Sequence, residues 1–181
     1  MFPQIETDRL RLREIEQDDA ASLFAYFSTD EVTRYYGQDS FQQIEQAEDL
    51  IKSFSASYDE TKGIRWGIEH KETNELIGTI GFHLLSLRHK RAEIGYDLHP
   101  EHWGKGYASE AVKAAISYGF EVMELTRIGA VVFIENEASS KLLLKLGFEK
   151  EGVLRDYMYQ NGTAHDTYIY SLLKVPVRHT T

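Results

Sequence analysis

The sequence predicts an α+β fold in which one mixed, mostly antiparallel twisted sheet of about seven strands is flanked by about four helices. Three observations carry this expectation. Several short runs alternate polar and apolar residues, as in "RLRLREI" (9–15) and "RAEIGYDLH" (91–99). Two longer stretches, 44–58 and 107–121, repeat apolar residues every three or four positions. The order is two early helices, an antiparallel group of strands, then strand–helix–strand–helix–strand.

The elements follow from local pattern. "RLRLREI" has period two and forms a strand, with Arg9, Arg11 and Arg13 on a solvated face. Asp18 or Asp19 caps a helix that runs to about Phe27, with Leu23, Phe24 and Phe27 inward. "STDEVTRYYGQDS" (28–40) is a loop. In the second helix Ile44, Ala47, Ile51, Phe54 and Tyr58 share a stripe. "IRWGIEHKETNELIGTIGFHLL" (64–85) is a hairpin that turns near Glu72 to Glu75. In the strand 91–99, Ile94, Tyr96 and Leu98 lie on one face and Glu93 and Asp97 on the other. A helix to about Glu121 follows, with Ala108, Ala111, Val112, Ala115 and Tyr118 on one stripe. "TRIGAVVF" (126–133) is a strand, and "NEASSKLLLKLGF" (136–148) is a short helix that ends at Gly147. Two last strands enclose the "QNGT" turn (160–163), and the tail 175–181 is expected to fray.

Bulk numbers narrow the function. A chain of 181 residues, 42% hydrophobic and 27% charged, suits a single domain over 1–181. It contains no cysteine, which excludes disulfides, thiolate metal sites and a cysteine nucleophile. The N-terminal residues lack the apolar core of a signal peptide, and no window reaches the length of a membrane span. The expectation is a cytoplasmic protein without a membrane partner, present as a monomer or homodimer. The net charge of −9, from 29 acids and 20 bases, argues against nucleic-acid binding and fits either a cationic partner or simple solubility. Seven histidines show no ligand spacing, so no metal is expected.

The stretch "HWGKGYASEA" (102–111) places glycines directly before a helix. The first amides of a helix lack internal partners and carry partial positive charge. Gly104, Gly106 and Ala108 would let an anion approach them, and Lys105 could add charge. A plain tight turn would look the same, and these residues alone do not choose. The dinucleotide fingerprint fits poorly, because Ser109 holds its third glycine position, and no Walker loop is present. A nucleotide-dependent oxidoreductase is therefore disfavoured.

"AEIGYDLHPEHWGKGYASEAV" (92–112), followed by "ENEASSKLLLKLGFEKEG" (135–152), resembles the GNAT superfamily of acetyl-CoA-dependent N-acetyltransferases. The opening "ETDRLRLRE" (6–14) and the closing D-x-x-x-Y at Asp166 to Tyr170 resemble the branch of ribosomal-protein N-terminal acetyltransferases. The resemblance spans nearly the whole chain. It implies a GNAT-like fold and acetyl-CoA as cosubstrate. It also implies that the amides of Trp103, Gly104, Lys105, Gly106, Tyr107, Ala108 and Ser109 grip the CoA diphosphate. Trp103 stands where the superfamily usually has Arg or Gln. The strand residues Ile94, Tyr96 and Leu98 would hold the pantetheine arm, as would Asn136, which also fits an ordinary N-cap. Leu143 stands where many members have a tyrosine acid, so the proton donor to the leaving thiolate is another group or water, and the likeness to the branch relatives implies Ser139 as the candidate.

An ammonium cannot attack a thioester until a base takes its proton. Glu93 is the candidate base, matching the glutamate of the "A-E-I" segment in related histone-type enzymes, with Asp97 as second choice. Glu93 could instead pair with Arg88, Lys90 or Arg91 in a surface ladder. The resemblance places "RYYG" (34–37) where the acceptor site falls, so Tyr35 and Tyr36 are candidates for its pocket, although an exposed tyrosine pair is also ordinary loop packing. His83, on a sheet strand, is a core or cleft residue that joins the pocket candidates rather than a catalyst. With no cysteine, direct attack in a ternary complex is the simplest route. The acceptor is an amine, with protein α-amines, polyamines and aminoglycosides all open. A non-catalytic acyl-CoA-binding module is the alternative of a different class.

Overall fold

The computed structural model describes residues 1–175. Strand β1 (Ile5–Glu6) pairs with β2 (Leu10–Arg13), and β2 pairs with β3 (Ile64–His70). Between β2 and β3 lie α1 (Ala20–Phe27), α2 (Asp30–Thr33) and α3 (Ile44–Asp59). Then come β4 (Glu75–Ser86), β5 (Arg91–Leu98), α4 (Tyr107–Glu121), β6 (Arg127–Phe133), α5 (Glu137–Lys145), β7 (Glu149–Gln160) and β8 (Thr163–Leu173). They form one eight-stranded sheet in the order β1-β2-β3-β4-β5-β6-β8-β7. Every pair is antiparallel except β5 with β6, which α4 connects as a crossover. No helix among the described residues is long and apolar enough to cross a membrane.

Among the described residues there are therefore eight strands and five α-helices where the sequence predicts about seven and about four. The extra strand, β1, has two residues, too few to show a period. The extra helix, α2, is a single turn within the stretch expected to be a loop. Asp19 heads α1 without a side-chain bond to it, because its Oδ2 already accepts from the Glu16 amide at 2.8 Å. Ile44 is exposed rather than inward, since it opens α3 before the helix meets the sheet. Gly147 ends α5 with φ +95, and Asn161 and Gly162 make the two-residue β7–β8 turn with positive φ at both positions. Residues 176–181, most of the tail expected to fray, lie outside the described residues.

Alternation along the strands feeds two cores. Leu23, Tyr26 and Phe27 of α1 pack with Ala47 and Ile51 of α3 on one face. Trp66, Ile80, Phe82 and Ile94 pack with Ala111, Val112 and Ala115 of α4 in the other cluster. Arg65, of opposite parity to Trp66 in β3, crosses the face of the sheet. Its chain passes over Gly81, where an added Cβ would lie 2.9 Å from Arg65 Cδ and 2.0 Å from the Ile64 carbonyl oxygen.

Arginines 9, 11 and 13 are not a freely solvated row. Arg11 and Arg13 both clasp Glu69, which is buried and would otherwise hold an uncompensated charge. Arg13 also takes Asp19. Arg9 anchors α4: Glu110 accepts from the Thr7 hydroxyl at 2.6 Å, the Arg9 amide at 2.8 Å and Arg9 Nε at 2.7 Å. The Arg9 guanidinium then lies 4.4 Å over the Tyr107 ring, and its Nη1 donates to the Lys105 carbonyl at 2.9 Å.

Burial opposes the Glu110 charge, but the bonds from Thr7 and Arg9 outweigh it and hold the carboxyl below its ordinary 4.5. The fold thus stabilises the ionised form. The contribution is full above pH 4.5 and is lost as pH falls through the lower folded value. Glu110→Gln should cost about 1–3 kcal/mol at pH 7. In urea melts at pH 7 and pH 4 the gap between variant and wild type should narrow at the lower pH. Gly81→Ala should cost about 1–3 kcal/mol through overpacking against backbone, read by the same melts.

Candidate active site

Strands β5 and β6 pair only at Arg91–Arg127, Ala92–Ile128 and Glu93–Gly129. Beyond Glu93 they part, while β6 stays paired with β8 to its end at Phe133. A cavity of about 550 Å³ occupies the parting, bordered by Ile94, Gly95 and Tyr96 on one side and Ala130 to Phe133 on the other. The edge of β5 from Ile94 to Leu98 therefore has no strand partner on the β6 side. Such backbone groups need partners from elsewhere.

Eight of the residues singled out from sequence line this cavity: Glu93, Ile94, Tyr96, Asn136, Ser139, Tyr35, Tyr36 and His83. Glu93 sits where the strands separate. Its side chain is 17% exposed, and its Cγ lies 3.4 Å from where a Cβ on Gly129 would stand. Glu93 faces His83, Nε2 to Oε2 3.3 Å, rather than the basic ladder considered as the alternative. His83 is half exposed and precedes a break in the β4–β5 register, with Leu84 at φ +49.

Tyr96 and Ser139 meet across the cavity, hydroxyl to hydroxyl at 2.7 Å. Burial, partly offset by Ser139, pushes the Tyr96 phenol up to about 12, so it stays protonated at neutral pH. Asn136 does two things at once. It caps α5, accepting from the Ser139 amide at 3.3 Å, and it borders the cavity. Leu143 is fully buried against the same space. The Thr167 hydroxyl, also at the cavity wall, is buried without a hydrogen-bond partner.

Asp97, the second candidate base, lies outside the cavity lining with both oxygens engaged. Its oxygens accept from the Tyr26 hydroxyl at 2.9 Å, the Thr79 amide at 3.0 Å, the Thr79 hydroxyl and Arg65 Nη2 at 2.8 Å. Arg65 was not singled out from sequence. It also reaches the Thr79 hydroxyl, the Gly95 carbonyl and the Tyr36 hydroxyl, the last at 2.7 Å. Burial disfavours its charge, yet Tyr36 and Asp97 hold its pKa above the ordinary value. The readable signal is that Gly81 and Gly95, on the neighbouring strands, leave a trench the length of an arginine.

Leu98, the last residue of β5, and Trp103 to Ser109, the turn and first residues of α4, lie outside the cavity lining. Gly104 (φ +71) and Gly106 (φ +83) both take the left-handed conformation, and Gly106 caps α4. A Cβ on Gly104 would meet nothing within 4 Å, so its backbone is open to close approach. The Trp103 indole donates to the Leu98 carbonyl at 2.9 Å, tying loop to strand. Lys105 turns back to the Glu101 carbonyl at 2.8 Å. The parted strands, the open glycine and the unpartnered Thr167 hydroxyl fit an extended cosubstrate with amides along its arm and phosphates at its end. Among the described residues no group of three or more His, Asp or Glu is placed to hold a metal ion.

The clasp of the β7–β8 hairpin completes the wall. Gln160, at its tip, donates from Nε2 to the Thr33 and Gln38 carbonyls at 2.7 and 2.8 Å and accepts from the Gly37 amide at 3.1 Å. This fixes the segment that carries Tyr35 and Tyr36.

A family model described as "Acetyltransferase (GNAT) domain" matches residues 9–149. The chain is 62% identical over 174 residues to "Uncharacterized N-acetyltransferase YoaA" of Bacillus subtilis (strain 168), covering 96% of this chain and 98% of that one. It is 37% identical over 127 residues to "Putative ribosomal N-acetyltransferase YdaF" of the same organism, covering 70% and 68%. It is 29% identical to the "Spermidine N(1)-acetyltransferase" of Escherichia coli (strain K12), covering 84% and 80%. The crystal structure of a GNAT-family acetyltransferase from Bacillus anthracis superposes with a TM-score of 0.82 at 29% identity, covering 96% and 98%. With the matched model spanning most of its length and a relative at 62% identity, the chain belongs to the GNAT family of N-acetyltransferases.

Proposed function

We propose that the protein transfers acetyl from acetyl-CoA to a primary amine by direct attack, with Glu93 as general base. The observation that carries this reading is the placement of Glu93 at the fork of β5 and β6, inside the cavity that also holds the Tyr96–Ser139 pair. The diphosphate of CoA binds the amides around Gly104 and Gly106, and its arm lies along the open edge of β5. Asn136 meets that arm.

The acceptor enters as an ammonium beside Glu93, which takes one proton. The neutral nitrogen attacks the thioester carbonyl, and a C–N bond forms as the C–S bond breaks. The second amine proton balances the departing thiolate, delivered by the Ser139 hydroxyl with the Tyr96 phenol behind it. The proton on Glu93 leaves past the half-exposed His83 to water. Most of the acceleration then comes from holding the two substrates in line and from polarising the carbonyl. Tyr35, Tyr36 and His83 line the acceptor end. The likeness to a ribosomal acetyltransferase supports a protein α-amine among the acceptors.

A second reading, a binding module without turnover, draws on Leu143 at the position where a tyrosine acid is usual. Glu93→Gln separates the two. Calorimetry should give acetyl-CoA affinity near wild type, while turnover falls about 10²-fold in a thiol-release assay. Equal rates for the two proteins would remove Glu93 from the mechanism. An absence of thiol release by wild type with every amine offered would favour the binding module.

A further inference from the structure

We infer that the acceptor is a primary amine with a single positive charge on an apolar, ring-sized body, and not a polyamine. This rests on the acetyl-transfer reading above and narrows its substrate class. Glu93 is the one carboxylate among the described residues that line the cavity. Apart from His83, Arg65 and Ser57, the lining at the acceptor end is aromatic or aliphatic: Tyr35, Tyr36, Phe54, Leu84 and Phe133. Tyr35 and Phe133 meet edge to face at 6.2 Å, a pairing that leaves ring surface for a third apolar group.

The cavity also contains a cation of its own. The Arg65 guanidinium, 11% exposed, lies 5.6 Å from the Phe54 ring centroid and 6.0 Å from that of Tyr36. Asp97 neutralises it from behind, with every oxygen already in use. A second ammonium on the acceptor would therefore find no free carboxylate. The rings best placed to receive it already face a guanidinium. Burying such a charge without a partner is costly, and like charge nearby adds to the cost. An apolar body in the same space gains by leaving water. The excess of acids in the chain, −9 overall, does not reach this wall.

A free arylalkylamine and the α-amine of a peptide that opens on an aromatic residue share this chemistry. The test uses the full chain, acetyl-CoA and three acceptors: 2-phenylethylamine, a tetrapeptide opening on phenylalanine, and spermidine. Acetyl-CoA binding is measured alongside by calorimetry. The expected result is a kcat/KM for 2-phenylethylamine or the peptide at least about tenfold above that for spermidine. Whichever of the two is faster identifies the source. Spermidine matching or exceeding both overturns the inference. Acetyl-CoA bound with none of the three acetylated also overturns it and leaves the cosubstrate site standing. No acetyl-CoA binding overturns both. In Tyr35→Glu, a second carboxylate at the wall should move the ratio about tenfold toward spermidine, and an unchanged ratio counts against the charge argument.

Discussion

Everything at the site depends on a parallel pairing that stops after three residues. A central sheet normally closes every gap between its strands, because buried amides and carbonyls must find partners. Here β6 is held away by its full-length pairing with β8, and β5 by its pairing with β4. Arg65 adds a brace at the fork. It reaches from β3 across β4 and takes the Gly95 carbonyl. The opening is thus maintained from both sides by strands and a side chain that do not enter it.

Charge is distributed in two regimes. Near the N-terminus, Arg11 and Arg13 of β2 neutralise Glu69, and Arg9 just before that strand grips Glu110, fixing sheet to helix. Around the cavity, Arg65 and Asp97 saturate each other inside a shell of hydroxyls. A buried pair of this kind is weak evidence of net stability, yet removing either partner would strand the other. Its visible effect is geometric: Thr79, Tyr26 and Tyr36 are all oriented by it.

Much of the fold was legible in the chain, for reasons that can be named. Residues 91–98 alternate cleanly, so the opposite placement of Glu93 and Ile94 could be read directly. Gly147 and the Asn161–Gly162 pair end their elements by dihedral preference, which is a local property. Helix α4 follows from its stripe of small residues. What stayed hidden depends on register between strands. Arg65 gains its place only because Gly81 and Gly95 fall beside it, and Glu69 is buried only because two arginines meet it from β2. The two-residue β1 and the single-turn α2 are too short for any period to register. Of the site, the contribution of β5 was visible, whereas Phe133 and Thr167 enter through a pairing over a long sequence separation.

The grip of Gln160 on the Thr33–Gln38 segment has a temporal side. Its bond to the Thr33 carbonyl joins positions 127 apart. Until residue 160 has been made, the segment that carries both tyrosines lacks its three hydrogen bonds to Gln160, although Arg65 and Phe27 already lie beside Tyr36. A nascent chain short of the β7–β8 hairpin has the glycine turn before α4 but lacks the cavity wall formed by Tyr157, Met158 and Thr167. Closure of the cavity beside Tyr35 and Tyr36 therefore waits on the β7–β8 hairpin.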